Sequence, residues 1–279
     1  PRRSNMSQEQ HAKPQAKEVT KKATNLPAQI NLEEMSGQGQ EYVTARDQKL
    51  PIIKILYANS PVLDESDGKY IERAKQGDIY SETSQNLWKG KEGIIVVPCL
   101  YINTFNEWKD RGDSPGRPVK IHTDPSIMSE TTRGDDNKDR LPNGNYVEDT
   151  GNHFVFILDK DYNPVEQALI SMKSTQKKKS KTWNSMMMSR RAQGKKGFFT
   201  PPTWSTTYRL TTTKESNSQN SWYGWVVDFD KYLNAGEHLK VLETTQSFYQ
   251  SAMKSDIFGK VDYSEDQPNK ANKSESTPF

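Results

Sequence analysis

Seven short runs of β-branched and aromatic residues, each closed off by Gly, Pro, Asn or Asp, limit this chain to a small set of folds. They are "LPIIKILYA" (50–58), "GIIVVPCLYINTFNEW" (93–108), "PVKIHT" (118–123), "NHFVFILD" (152–159), "VEQALISMK" (165–173), "TWSTTYRLTTT" (203–213) and "SWYGWVVDF" (221–229). Runs of this length and chemistry form strands, so six or seven are expected. "LDKDYNPVEQ" carries the residues of a hairpin turn, and "TTTKESNSQNSWYGW" those of a longer hairpin loop. Helical spacing occurs twice, over residues 176–192 and over 236–254, where Leu239, Leu242, Gln246, Tyr249 and Met253 recur. Within the first, "KKKSKTWN" is compatible with a strand end, a loop or a helix start. The fold class that follows is mainly β with peripheral helices, an antiparallel barrel or sandwich carrying two helices.

The same runs confine the ordered part to one domain, 47–255. Residues 1–46 hold few large apolar groups among Gln, Lys, Ala, Glu and Ser, too few to offset the entropy of ordering them. They are expected to form a disordered arm, and residues 256–279, ending "SEDQPNKANKSESTPF", a flexible tail. No run approaches the roughly 18 to 20 apolar residues that span a bilayer. The opening "PRRSNMSQEQHAKPQAKEVTKKA" has no hydrophobic segment of the kind a secretory signal needs. Neither a membrane-spanning nor a secreted protein is expected. The one cysteine, Cys99, sits inside "GIIVVPCLYI", where burial as a small hydrophobe in a reducing compartment is the natural reading.

The net charge of +3 hides an asymmetry. Between Glu166 and Glu215 lie 48 residues without a carboxylate, carrying eleven Lys or Arg, while the remaining 231 residues hold 28 basic and 36 acidic side chains. An acidic body with one basic segment is the footprint of a polyanion-binding surface. Single-strand binders pair such cations with flat side chains on which unpaired bases stack, worth about 1 to 3 kcal/mol per base. Candidate phosphate contacts are Lys173, Lys177, Lys178, Lys179, Lys181, Arg190, Arg191, Lys195 and Lys196. Candidate stacking groups are Trp183, Trp204, Tyr208, Trp222 and Tyr223, with Phe198 and Phe199 interleaved among the cations. The Met186, Met187 and Met188 triplet is expected to face the core. Lys177, Lys178 and Lys179 are consecutive and point around a helix, which argues against a basic stripe lying on a membrane.

Other chemistry is thinly represented. "RGDDNKD" clusters Asp135, Asp136 and Asp139 but lacks the central Gly and terminal Glu of a calcium loop, so a polar loop is expected and no metal site. "GKEG" (90–93) lacks P-loop spacing, and the "RGD" at 111–113 carries no meaning in such a chain. The four histidines, His11, His122, His153 and His238, are scattered. Asp159, Glu166 and Lys173 are the one set that could be pressed into a metal-dependent nuclease, and their order across a hairpin turn suits turn and edge positions better. The expectation is no enzyme and no cofactor.

"KLPIIKILYANSPVLDES", "AKQGDIYSETSQNLWKGKEGIIVVPCLYINTFNEW", "HFVFILD", "ALISMKSTQKKKSKTWNSMM", "TTYRL" and "SWYGWVVDF" together resemble a widespread family of bacteriophage single-stranded DNA-binding proteins of the replication and recombination module. The resemblance covers residues 48–255, and "GDIYSETSQNLW", "GIIVVPC" and "SMKSTQKKKSKTWN" are its most specific parts. It implies an OB-like barrel that coats single-stranded DNA without sequence preference in the cytoplasm of an infected bacterium. The matched motif assigns that role to Lys173, Lys177, Lys178, Lys179, Lys181 and Trp183. Such proteins often end in an acidic run closed by Phe that recruits phage replication proteins. Here "STPF" follows only Glu265, Asp266 and Glu275, offset by Lys270 and Lys273, a departure from that pattern. A virion-associated phage protein contacting DNA or a capsid partner is the alternative.

Overall fold

The computed structural model describes residues 34–35, 37–43, 47, 49–110, 112, 116–218, 220–254, 257–258 and 261. The chain divides into Pro1–Val43 and Thr44–Phe279. In the first unit the described residues form successive turns, closed by the amides of Gln38, Gln40 and Val43. Most of the arm expected over 1–46 and of the tail expected over 256–279 lies outside the described residues. Ile257 and Val261, however, are buried in the core of the second unit, so its fold runs past the boundary expected at 255.

The second unit contains, in chain order, β1 (Ile53–Ile55), β2 (Ile79–Ser81), β3 (Leu87–Trp88), β4 (Ile94–Trp108), β5 (Lys120–His122), β6 (Thr132–Arg133), β7 (Asp139–Arg140), β8 (Tyr146–Leu158), β9 (Pro164–Lys173), α1 (Lys177–Ser189), β10 (Ala192–Gly194), β11 (Gly197–Phe199), β12 (Thr206–Ser216), β13 (Ser221–Tyr232) and α2 (Ala235–Lys254). An eight-stranded antiparallel sheet runs β13-β12-β4-β8-β7-β6, with β5 also on β4 and β9 also on β8. It curls into a half-barrel. The mainly β, antiparallel fold with peripheral helices is therefore the one expected, and all seven expected strand regions hold a strand.

Over 94–99 and 154–158 the long β4/β8 ribbon is apolar on both faces, which is why its sequence there reads as continuous hydrophobic runs and not as an alternation. Ile95, Val97, Phe154, Phe156 and Leu158 face one core with Leu169 of β9. Ile94, Val96, Val155 and Ile157 face another with Ala168, Ile170 and Met172. The curl has local causes. Extra residues at Cys99 in β4, Val165 in β9 and Asp230 in β13 shift the register and bend the strands. Pro98, which has no N–H to give a ladder, sits where the ladder is already interrupted. Cys99 lies in this bulge, buried as expected, and burial pushes its thiol far above the ordinary range.

Each face is closed by one helix. α2 covers the first with Val241, Thr245, Phe248 and Ala252, and Phe248 meets Phe156 edge to face at 6.1 Å. The helix stands where it was expected, but its buried stripe is offset. Leu239 and Met253 are 54% and 59% exposed, and Leu242 and Tyr249 lie at the margin of the core. A break in helical geometry at His238 rotates the start of the helix relative to a continuous wheel. α1 closes the second face with Ser180, Trp183 and Met187 at spacings of three and four. Of the methionine triplet expected in the core, Met187 is buried and Met186 packs against the cluster, whereas Met188 is 74% exposed.

Candidate nucleic-acid interface

The basic segment folds into three pieces: the end of β9, helix α1, and the β10–β11 hairpin. "KKKSKTWN" is thus the helix start. Consecutive lysines on a helix diverge by roughly 100°, and the consequence here is a division of labour. Lys177 reaches back to the sheet, giving hydrogen bonds to Asp149 Oδ1 at 2.6 Å and to Asn103 Oδ1. Lys179 turns the other way to Glu215 Oε1 on β12 at 2.7 Å. Lys173, on β9, pairs with Glu148 Oε2 at 3.2 Å above the Trp108 ring. Glu215 also accepts from Trp222 Nε1 at 2.9 Å, and Lys179 foremost holds its carboxyl below the usual range against the opposing effect of burial. These three lysines are neutralised within the fold.

Lys178 and Lys181 point outward from α1, and Lys195 and Lys196 occupy the tip of the hairpin; all four are exposed and form no ion pair among the described residues. Arg191 is exposed too, giving hydrogen bonds of 2.9 Å to the Met188 and Arg190 carbonyls and to Thr200 Oγ1. Arg190 is half-buried, its guanidinium 4.5 Å from the centre of the Phe229 ring. The surface that can meet an external anion is therefore narrower than the segment: Lys178, Lys181, Arg191, Lys195 and Lys196.

The aromatic half of the expected site is corrected more sharply. Trp183 is wholly buried, stacked on His153 at 4.2 Å and 20° and edge-on to Tyr208 at 5.7 Å. Tyr208 is wholly buried as well. Neither can present a ring face to a base, because the helix that carries the lysines is fastened through Trp183 to the inside of the sheet. Trp204, Trp222 and Tyr223 are half-buried. Trp204 packs against the α2 core, Trp222 is tied to Glu215, and Tyr223 lies against the backbone at Gly77. The exposed rings of the segment are Phe198 and Phe199, at 78% and 48%. Their adjacency to "GKKG" was the available signal.

The remaining motifs have structural uses. Arg140 links Asp110, at 3.0 Å, to Asp136, at 2.6 Å, and Lys138 joins Asp110 at 2.9 Å, so the aspartate-rich loop is pinned by its own cations. The Arg140 and Lys138 hydrogen bonds lower the Asp110 carboxyl to about 2. Among the described residues no three His, Cys, Asp or Glu side chains are placed to hold a metal ion. The nuclease set is dispersed. Asp159 accepts the Asp161 and Asn163 amides in the β8–β9 turn, and Glu166 accepts from Ser84 Oγ and Asn86 Nδ2. Lys173 stands seven residues further along the strand from Glu166, roughly 23 Å away.

One arrangement had no sequence signal. Glu107 on β4 is buried and accepts from Asn143 Nδ2 at 3.1 Å and Asn145 Nδ2 at 2.6 Å, and its other oxygen lies 2.9 Å from His122 Nε2 on β5. Burial opposes ionisation of Glu107, but the hydrogen bonds from Asn145, His122 and Asn143 outweigh it and lower the carboxyl. The pair lines a cleft of about 450 Å3 with Lys120, Asp124 and Asn143. Its residues come from strand partners more than ten positions apart, and only the pairing of β5 on β4 brings them together.

A family model described as Pam3 phage gp34-like protein matches residues 19–257. No curated protein and no solved structure matches the chain.

Proposed function

The chain belongs to the Pam3 phage gp34-like family, and from that premise we propose that this phage protein binds single-stranded DNA without sequence preference during phage replication or recombination, and does no chemistry of its own. The observation that carries the reading is the set Lys178, Lys181, Lys195 and Lys196, exposed and without an ion pair among the described residues, on a chain that is acidic elsewhere. Solvated protein surfaces intersperse the two signs, so four ammonium groups left without carboxylates on an acidic body suit a polyanionic partner. A single strand of DNA neutralises them phosphate by phosphate and gains the entropy of released counterions. The curled half-barrel is consistent with an OB-like scaffold, whose open face carries single strands in many proteins. The site of action that follows is the cytoplasm of the infected host. Recruitment of phage replication proteins by the last residues falls outside the described chain.

The test is fluorescence anisotropy of labelled oligo-dT titrated with the full chain across a salt series. Affinity should fall steeply with salt, and a duplex of equal length should bind more weakly. No binding at low salt would sink the proposal. Equal affinity for duplex, together with copurification with phage particles, would point to the virion-associated alternative. Incubating the same mixture with magnesium and following the length of the oligonucleotide tests for nuclease activity.

A further inference from the structure

Among the described residues the β10–β11 hairpin pairs with no other strand. Its arms are three residues long, joined by Lys195 and Lys196, with Gly197 in the left-handed region at φ 115° to turn the chain. An isolated two-stranded ribbon is marginal in water, so its base needs anchors. Tyr232 OH gives a hydrogen bond of 3.1 Å to the Arg191 carbonyl, and Arg191 holds Thr200 on the far side of the ribbon. The hairpin is thus positioned at its base and left uncovered along its length.

Phe198 and Phe199 are successive residues of β11, so their rings leave opposite faces of the ribbon. No single packing surface on the protein could bury both. Phe199 leans over its own hairpin, close enough that a Cβ on Gly194 would lie 3.2 Å from its Cδ1. Phe198 has no such shelter at 78% exposure. Leaving a Phe side chain in water forfeits the free energy of its burial, and here two successive ones are left out next to the hairpin's cations. A partner that satisfies both features must be anionic and must offer flat apolar faces. A DNA duplex offers the charge but keeps its bases stacked inside, whereas an unpaired strand offers both.

We infer that the β10–β11 hairpin is the base-stacking finger of the interface, with Phe198 and Phe199 supplying the preference for single over double strands; this rests on the function proposed above. Lys195 and Lys196 hold the backbone on either side of the stacked bases, and α1 holds the strand further on through Lys178 and Lys181.

The experiment compares wild type, Phe198→Ala/Phe199→Ala, Lys195→Gln/Lys196→Gln and Phe198→Trp for binding to oligo-dT, to a duplex of equal length and to phosphatidylglycerol vesicles. Both phenylalanines are exposed, and equal thermal melting of wild type and the double alanine variant verifies that the fold is kept. Removing the rings should weaken oligo-dT binding about tenfold or more, with duplex binding and the salt slope unchanged, because stacking is not ionic. Replacing the lysines should weaken both ligands and flatten the slope. Phe198→Trp should keep the affinity, and its fluorescence should be quenched by oligo-dT. If wild type binds oligo-dT and the alanine variant binds it equally, the inference falls while the proposed function stands. Equal losses on oligo-dT and duplex would overturn it as well, as would a loss seen only on phosphatidylglycerol vesicles. If wild type does not bind oligo-dT at all, the proposed function fails first.

Discussion

Between pH 6.5 and 5, acidification should destabilise this protein chiefly through one imidazole. His153 lies at the centre of the second core, stacked under Trp183 at 4.2 Å and 4.8 Å from the Tyr101 ring. Its Nε2 is 2.8 Å from Ser180 Oγ, and its Nδ1 has no partner among the described residues. Burial first, and the Lys177 ammonium second, hold its pKa down to about 3 from an ordinary 6.5. The unfolded chain therefore takes up this proton first as pH falls. The stability that neutral His153 contributes is whole above pH 6.5 and drains away between 6.5 and about 3. At 1.36 kcal/mol per unit, the full window is worth about 5 kcal/mol, of which about 2 kcal/mol is gone by pH 5. Urea unfolding of wild type and His153→Gln at pH 7.5, 6 and 5 isolates this contribution, since every other titrating group is common to both. The variant should start lower and lose about 2 kcal/mol less than wild type on the way to pH 5. Parallel losses in the two proteins would refute the reasoning.

The other predictions concern the segregation of cations and the packing beneath them. Replacing Lys178, Lys181, Lys195 and Lys196 together with Gln should flatten the log–log salt dependence of oligo-dT binding by about 2.8, or roughly fiftyfold in affinity over a fourfold rise in salt. Lys177→Gln should leave that slope unaltered and instead lower stability by about 1 kcal/mol in denaturant titrations, because it removes the ammonium shared by Asp149 and Asn103, which keep their hydrogen bond to each other. Trp183→Ala should cost about 3 to 5 kcal/mol, and the milder Trp183→Phe should leave oligo-dT affinity within twofold; a large affinity loss would return Trp183 to the interface. Gly77→Ala should lower the melting temperature, since Gly77 has φ 89° and a Cβ there would overlap the Tyr223 ring.

What could be read in the sequence follows from how local its cause is. β4 and β8 announce themselves because burial on both faces demands an unbroken apolar run, and "GIIVVPC" and "HFVFIL" have few other uses. The buried stripe of α2 was not legible, because the large apolar Leu239 and Met253 stay exposed while a Thr, Thr245, takes a core position by bonding back to the Val241 carbonyl at 2.9 Å. β2, β3, β6 and β7 are two or three residues long and exist only through their partners. The basic segment could be located but not apportioned, since Glu148, Asp149 and Glu215, which claim three of its lysines, come from β8 and β12. In sequence Trp183 has the chemistry of a base platform, because its neighbours in space are far from it along the chain. His153, thirty residues upstream, takes its ring face.

The apportionment of α1 bears on function through an electrostatic cost. "KKKSK" occupies the first turns of the helix, where the unsatisfied amides make positive charge unfavourable, and no side chain caps it at Gln176. Asp149 and Glu215 offset that cost for Lys177 and Lys179, and in doing so fasten the helix to β8 on one side and β12 on the other. The sequence thus places two lysines where they are structurally useful. Lys178 lies between them with the same unfavourable helix end, no carboxylate and no packing role, and Lys181 repeats its direction three residues on. A helix needing only stability would be better served by Glu or Ser at 178, which would complement the exposed amides. The fold gives no reason for cations at these two positions, and the exposed Phe198 and Phe199 on the adjoining hairpin suit an outside partner on independent, apolar grounds. The unpaired DNA strand proposed above would meet both demands at once.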